Sequence, residues 1–209
     1  MKKCLIVFVC LGLGASVFAC GSSDGDGDDG FGYQSCADLM AGYSACGGDL
    51  LGTWQISMAC IDDSAIENPM AADCPDSTLA FSLDWAGSLE FTETAMIGTF
   101  TKQAFQIEFT VPVSCLNGGT CADLQTQIGD GTTCSTADPC VCQQTDDEAS
   151  GQPTSDDYTL NGNTLTFPNT TDGPDSIEFC IKGNQMAAKA TAPDGDGGTT
   201  TFYILMDKV

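Results

Sequence analysis

Cysteine is the residue type with the greatest capacity for chemistry in this sequence. The chain of 209 residues has 13 Cys and no His. Thiolates can bind metal, exchange electrons or form disulfides, but a metal site built from them needs a reducing compartment and usually includes His. Cys140-Val141-Cys142 could indicate redox chemistry, yet alternate residues of a strand share one face, which favours two structural disulfides. We therefore predict disulfides, with no metal and no cofactor.

The N-terminus has the pattern of an exported protein. Lys2 and Lys3 precede an apolar run over residues 5–18, which is shorter than the roughly 20 residues of a membrane-spanning helix. The following Ala19-Cys20 resembles a bacterial lipobox. The resemblance implies that residues 1–19 are a lipoprotein signal peptide and that Cys20 carries acyl chains such as palmitate. Cleavage by an ordinary signal peptidase after Ala19 and an uncleaved transmembrane helix are the alternatives.

Residues 20–32 are predicted to form an acidic Gly/Ser/Asp tether. Residues 21–30 include no apolar side chain, so the segment cannot bury itself in a core. Asp24, Asp26 and Asp28 have the spacing of a calcium-binding loop. Asp29 and Ser35, however, stand where such a loop has Gly and Glu. We therefore predict a tether and no calcium site.

The remaining cysteines are even in number. Cys4 and Cys10 lie in the predicted signal peptide and Cys20 is the predicted lipidation site. The disulfide candidates are Cys36, Cys46, Cys60, Cys74, Cys115, Cys121, Cys134, Cys140, Cys142 and Cys180. An oxidising compartment would pair them into five disulfides, whose connectivity the sequence leaves open.

The charge of the chain excludes several classes of function. Removal of residues 1–19, which include Lys2 and Lys3 but no Asp or Glu, changes the formal net charge from −23 to −25. Such a surface repels nucleic acid and favours divalent cations or basic partners. The absence of His and Arg removes the commonest general base and the bidentate phosphate clamp. There is no Gly-x-Ser-x-Gly motif and no phosphate-binding loop, so we predict that the protein is not an enzyme.

The body of the chain has the alternation and the turns of an all-β protein. Over residues 104–113, apolar Phe105, Ile107 and Phe109 alternate with polar residues. Asn161-Gly162-Asn163 and Lys182-Gly183-Asn184 are tight hairpin turns. Successive hairpins predict an up-and-down antiparallel β-barrel of eight to ten strands, since closure removes exposed edges.

Other segments complete the prediction. Strands are expected at about residues 52–60, 88–93, 96–101, 104–113, 139–144 and 200–206, with an exposed loop over residues 145–155. A short helix over residues 120–128 is expected to begin at Thr120 or Cys121, with Asp123 in its first turn. Residues 33–46 could form a second helix that links Cys36 to Cys46 or caps one end of the barrel.

These features together resemble the lipocalin-like lipoproteins of bacterial envelopes. They are the lipobox, the Gly52-Thr53-Trp54 strand, the Cys-rich central helix, the two Gly-Asn hairpins and the strand over residues 203–208. The resemblance implies one disulfide-rich, lipocalin-like β-barrel domain over residues 33–209. In lipocalins an Arg packs over the Trp of the first strand. Here Lys208 takes that place, so we expect it beside Trp54 as a cation over a ring; the alternative is a solvated terminal charge.

Two functions from different classes follow. The first is a binding protein, whose barrel accommodates a small lipophilic ligand. Its lumen would be lined by Phe105, Ile107, Phe109, Phe167 and Phe179. The second is a non-catalytic surface scaffold or interaction protein, in which these side chains fill the barrel. In both cases we expect a monomer, held to the outer membrane of a bacterial envelope by its lipid anchor and binding no nucleic acid. A continuous apolar cavity would distinguish the two.

Overall fold

The computed structural model describes residues 30–66, 68–129, 131–147, 151–168, 174–193 and 199–209. The predicted signal peptide, Cys20 and most of the predicted tether lie outside these residues. In the described part, no helix is long and apolar enough to cross a membrane.

The α-helices are α1 (Cys36–Gly42) and α2 (Cys121–Ile128). The strands are β1 (Gly52–Asp62), β2 (Thr78–Phe91), β3 (Ala95–Val111), β4 (Thr132–Cys134), β5 (Cys140–Asp147), β6 (Pro153–Asp157), β7 (Thr159–Asn161), β8 (Thr164–Thr166), β9 (Ser176–Lys182), β10 (Gln185–Pro193) and β11 (Thr199–Lys208).

All eleven described strands belong to one antiparallel sheet. Its order is β4-β5-β3-β2-β1-β11-β10-β9-β8-β7, and β6 pairs with β3 off this path. The predicted all-β class with short helices and several disulfides is confirmed. The sheet is not closed, because β4 and β7 end the ladder without pairing to each other. The strand pairing therefore gives an open sheet of eleven strands where a closed barrel of eight to ten was predicted.

The chain itself links the two sides of this open sheet. Strand β6 pairs with the first part of β3, from Ala95 opposite Asp157 to Thr99 opposite Pro153. Only Tyr158 separates β6 from β7, which pairs with β8. The Tyr158 amide donates to the Thr94 carbonyl at 2.9 Å, and its ring is buried in the largest core cluster. β6 and β7 therefore connect β3 to β8 through one continuous stretch of chain, although β3 and β8 do not pair with each other.

Strands β2 and β3 are longer than predicted. β2 begins at Thr78 and not at Ser88, because Leu79, Phe81 and Leu83 continue the same alternation toward the N-terminus. β3 runs unbroken through Lys102, which forms an ion pair with Asp84 on β2. The polar residues around Lys102, which the sequence pattern assigned to a break between two strands, therefore belong to one continuous strand that pairs with β2.

The largest cluster of buried side chains fills one end of the sheet. Trp54 is completely buried, and its indole Nε1 donates to the Leu50 carbonyl at 2.8 Å. Around it lie buried residues from β1, β2, β8, β9, β10 and β11. They include Ile56, Leu89, Phe91, Leu165, Phe179, Met186 and Met206. We call this end the closed end, because buried side chains around Trp54 fill the space on the inner face of the sheet there.

Residues 30–50, the N-terminal strap, cross the outer face of the sheet. Helix α1 packs there through buried Leu39, which lies in one cluster with Cys60 and Tyr203. Disulfides bind the strap to β1 through Cys36–Cys60 and to β9 through Cys46–Cys180. The predicted link from Cys36 to Cys46 and the alternative of a capping helix are wrong, because the sheet offers the helix a broad apolar face beside both cysteines.

All ten candidate cysteines form disulfides. The pairs are Cys36–Cys60, Cys46–Cys180, Cys74–Cys115, Cys121–Cys140 and Cys134–Cys142. Cys140 and Cys142 are buried on one face of β5 and join different partners, as their spacing predicted. The last three disulfides surround a second core cluster, the disulfide-rich cluster, which also contains Val111 and Leu124.

The local signals for turns and caps are confirmed. Helix α2 begins at Cys121 after a capping box in which Thr120 and Asp123 bond reciprocally. These hydrogen bonds from Thr120 lower the pKa of Asp123. Both predicted Gly-Asn hairpins are present, with Gly162 at φ +63° and Gly183 at φ +55°. A positive φ at each turn is the conformation that Gly adopts at no steric cost.

Candidate ligand-binding cavity

A divergence between two neighbouring strands creates the candidate site. β1 and β2 pair only from Gly52 opposite Phe91 to Gln55 opposite Ser88. Beyond Gln55, β1 continues along β11, while β2 continues along β3. A cavity of about 680 Å³ lies between the two halves of the sheet that separate here. Its lining comes from β2, β3 and β5 on one side and from β1, β9, β10 and β11 on the other.

The lining of this cavity is mainly apolar. Its aromatic side chains are Trp85, Phe100, Phe105 and Phe202, and its aliphatic ones include Leu83, Leu89, Ile177 and Ile204. The Trp85 ring meets Phe100 edge to face at 6.0 Å and lies nearly parallel to Phe202 at 6.1 Å. The polar side chains are those of Gln103, Asp146 and Thr200.

The floor of the cavity is the core of the closed end. Trp85, Phe100 and Ile177 are partly buried and pack against the cluster that contains Trp54 and Phe179. The space on the inner face of the sheet is therefore filled by side chains at the closed end and open to solvent at the other end. An apolar ligand would replace solvent against side chains that are already ordered by the core beneath them.

The closed end carries the predicted cation over a ring. The Lys208 Nζ lies 5.1 Å from the Trp54 ring centroid, and the two residues are directly paired between β1 and β11. Gly52 adopts a φ of +120°, and a Cβ there would lie 3.3 Å from the Lys208 Cε. The Gly-x-Trp pattern thus combines a bend of the backbone with room for the lysine stem.

Known proteins add no assignment to this cavity. No family model, no curated protein and no solved structure matches the chain. The resemblance to lipocalin-like lipoproteins therefore stays a prediction, and the functional argument depends on the geometry of the described residues.

The five predicted lumen residues lie in different environments. Phe105 lines the cavity, while Phe167 and Phe179 are buried in the core of the closed end. Phe109 packs against the disulfide-rich cluster, and Ile107 borders a separate depression of about 210 Å³. β3 is long, so positions four residues apart lie about 13 Å apart along it and pass from one environment to another.

Several residues of the site were missed from the sequence. Trp85 and Leu83 belong to the part of β2 that was not predicted, although the alternation of Leu79, Phe81, Leu83 and Trp85 carried the signal. Phe202 lies in a predicted strand, but only the divergence of β1 from β2 explains why its ring reaches Trp85. Asp146 was assigned to an exposed loop; it lies on β5, opposite Phe105.

The cations of the described residues lie outside this cavity. Lys102 pairs with Asp84, Lys182 lies 4.9 Å from the Phe31 ring centroid and Lys208 lies over Trp54. Lys189 is on the opposite face of β10 from Ala188 and Ala190, which point inward. Among the lining residues of the cavity, Asp146 alone carries a charge.

A second, polar cavity lies beside the disulfide-rich cluster. Its volume is about 830 Å³, and its lining includes Asp73, Asn117, Asp123 and Gln127. In the described part of the chain, no group of three or more Cys, Asp or Glu side chains is placed to hold a metal ion. This cavity therefore has neither the ligands of a metal site nor the apolar lining of a lipophile site.

Proposed function

We propose that this protein is an exported, membrane-anchored lipoprotein that binds a small lipophilic molecule in the cavity between the diverging halves of its sheet. The observation that carries this proposal is the apolar cavity of about 680 Å³ above the ordered core. Ligand pockets for small molecules have volumes of about 300–1,000 Å³ and mostly apolar linings with a few polar groups. A filled scaffold has no need of such a cavity.

The proposed wrapping of the sheet is lipocalin-like. β1, β2, β3, the tandem of β6 and β7, β8, β9, β10 and β11 would enclose the core, with β4 and β5 as an extension. The single residue between β6 and β7 supports this arrangement, since Tyr158 bonds to Thr94 on one side and its ring packs in the shared core. A barrel of about eight strands can hold one small ligand.

Export and anchoring are the second part of the proposal. Five disulfides suit an oxidising compartment, and the lipobox gives Cys20 as the acylated residue. Fractionation of the host envelope tests this: the native chain is expected in the outer membrane with two acyl chains on Cys20 by mass spectrometry. The variant Cys20→Ser should leave the membrane fraction, while Cys10→Ser should stay in it. Retention of Cys20→Ser in the membrane would contradict the lipid anchor.

Ligand binding is tested with the chain over residues 20–209 carrying Cys20→Ser and its disulfides intact. Titration with the neutral fluorescent probe N-phenyl-1-naphthylamine should give saturable binding of one probe per chain. Ala192 lines the cavity and is only partly buried, so Ala192→Phe fills space near the opening with little strain in the core. We expect this variant to weaken binding by about tenfold or more, the effect of about 1.4 kcal/mol.

The matched control is Ala122→Phe, which adds the same side chain on the exposed face of α2. It should bind the probe as the parent does. Circular dichroism establishes that both variants are folded. Absence of saturable binding, or equal affinity in Ala192→Phe and Ala122→Phe, would contradict the proposed site and favour the scaffold function.

A further inference from the structure

Aromatic rings converge at the cavity in a way that suits a cation. Trp85 contacts two other rings: Phe100 in an edge-to-face arrangement with centroids 6.0 Å apart, and Phe202 in a nearly parallel one with centroids 6.1 Å apart. All three side chains line the cavity and are partly exposed. The face of an aromatic ring carries negative charge density, and several rings around one space form the sites that recognise quaternary ammonium groups.

A carboxylate lies at the same cavity. Asp146 on β5 is directly opposite Phe105 on β3, so the two side chains share one face of the sheet. Phe105 also lines the cavity, and its ring stacks on Phe81 at 5.6 Å. The Asp146 side chain is exposed, which leaves its charge accessible to a ligand at the opening.

No lysine among the described residues lines the cavity, so none is placed to pair with an acidic ligand. The four described lysines, Lys102, Lys182, Lys189 and Lys208, lie outside the lining. A fatty acid in this cavity would bring its carboxylate near Asp146 and leave it without a counterion. Two neighbouring carboxylates repel each other, whereas an ammonium group would gain contacts with both the rings and the Asp146 carboxylate.

We propose that the cavity selects lipophilic ammonium compounds, meaning amines or quaternary ammonium ions that carry an apolar chain or ring system. The apolar part would lie against Ile177, Ile204 and Leu89, and the positive group would lie among Trp85, Phe202 and Asp146. This inference rests on the proposed function, because it specifies the ligand class of the same cavity. The negative charge of the whole chain adds to the preference by attracting cations from solution.

Three probes of equal chain length test the selectivity. Decyltrimethylammonium, decanol and decanoate, each below its critical micelle concentration, are titrated against the complex of the Cys20→Ser chain with N-phenyl-1-naphthylamine at physiological salt. We expect the ammonium compound to displace the probe at a concentration about tenfold lower than decanoate, with decanol between them. Distant charges are largely screened at this ionic strength, so the difference reports on the site itself.

Two variants assign the preference to named groups. Asp146→Asn should reduce the ratio of ammonium to decanoate affinity by about fivefold or more, with little effect on decanol. The matched control Asp157→Asn removes an equal charge from an exposed position on β6 and should leave the ratio unchanged. Trp85→Leu keeps an apolar lining and should weaken the ammonium compound more than decanol.

The outcomes separate the two proposals. Saturable probe binding with equal displacement by all three compounds, or with decanoate the strongest, would overturn the ammonium selectivity and leave the lipophile site intact. An equal effect of Asp146→Asn and Asp157→Asn would also overturn it. Absence of probe binding would overturn the proposed function itself. If Trp85→Leu does not fold, the comparison of the three compounds and the aspartate variants still decides.

Discussion

At the scale of single residues, chemistry was predictable where it depends on residue type and short spacing. The ten paired cysteines follow from counting, and the contact of Lys208 with Trp54 was implied by the resemblance to lipocalins. The residues that line the cavity were not predictable in the same way. Phe105 and Phe109 have the same type and the same phase on β3, yet only Phe105 reaches the cavity. Position along a long strand decides this, and alternation carries no information about it.

The interaction of Lys208 with Trp54 is expected to stabilise the closed end. A double-mutant cycle with Lys208→Met and Trp54→Leu, followed by urea unfolding of the disulfide-intact chain, isolates it from the loss of core volume. We expect a coupling free energy of about 0.5–1 kcal/mol, the range for a cation over a ring. A coupling of zero would mean that Lys208 acts as a solvated terminal charge.

At the scale of elements, the local ones were predicted and the long-range ones were not. The capping box of α2 and the hairpins of β7 with β8 and of β9 with β10 are specified by residues within a few positions of one another. The place of α1 depends on cysteines far along the chain, since its strap is bound to Cys60 and Cys180. The number of possible pairings of ten cysteines hides that information from a single sequence.

The disulfides should differ in their effect on stability according to the length of chain they close. Cys46–Cys180 spans 134 positions and Cys134–Cys142 spans 8. Chain-entropy arguments give about 4–5 kcal/mol for the first and about 2–3 kcal/mol for the second. Replacement of each pair by Ala, followed by urea unfolding, should therefore lower the free energy of unfolding more for Cys46–Cys180. The opposite order would indicate that native packing around the disulfides, and not loop closure, dominates.

At the scale of the whole molecule, closure of the sheet depends on pairings between strands that are far apart in the chain. The hairpin turns predicted a meander. They do not specify that two consecutive strands, β6 and β7, pair with different partners, β6 with β3 and β7 with β8. Edges of the sheet are short or polar: β4 and β7 have three residues each, and β6 combines Pro153 with Asp156 and Asp157. Such edges resist pairing with another chain, which accords with the predicted monomer.

The excess negative charge should make stability depend on salt. Acidic residues far outnumber the lysines, and the ion pair of Lys102 with Asp84 is exposed, so screening removes little attraction and much repulsion. We expect the melting temperature of the Cys20→Ser chain to rise between low and physiological ionic strength. A gain of about 1 kcal/mol corresponds to about 2–4 °C for a chain of this size. A melting temperature that falls with added NaCl would contradict the dominance of repulsion.

If the chain is anchored through Cys20 as proposed, the position of the N-terminal strap would orient the molecule relative to the membrane. Its first residues lie at the closed end, because the Phe31 amide donates to the Gln185 Oε1 at 2.8 Å beside the turn between β9 and β10. The cavity lies toward the opposite ends of β1, β10 and β11, near Ile61, Ala192 and Thr200. From Cys20 to Gly30 the chain reaches about 35 Å at most, and β1 alone is about 36 Å long.

A protein anchored at Cys20 would thus stand with its closed end toward the lipid and its opening toward the aqueous phase. Ligand would be exchanged with the surrounding compartment, or with a soluble donor that approaches from that side, and not drawn directly from the leaflet that holds the anchor.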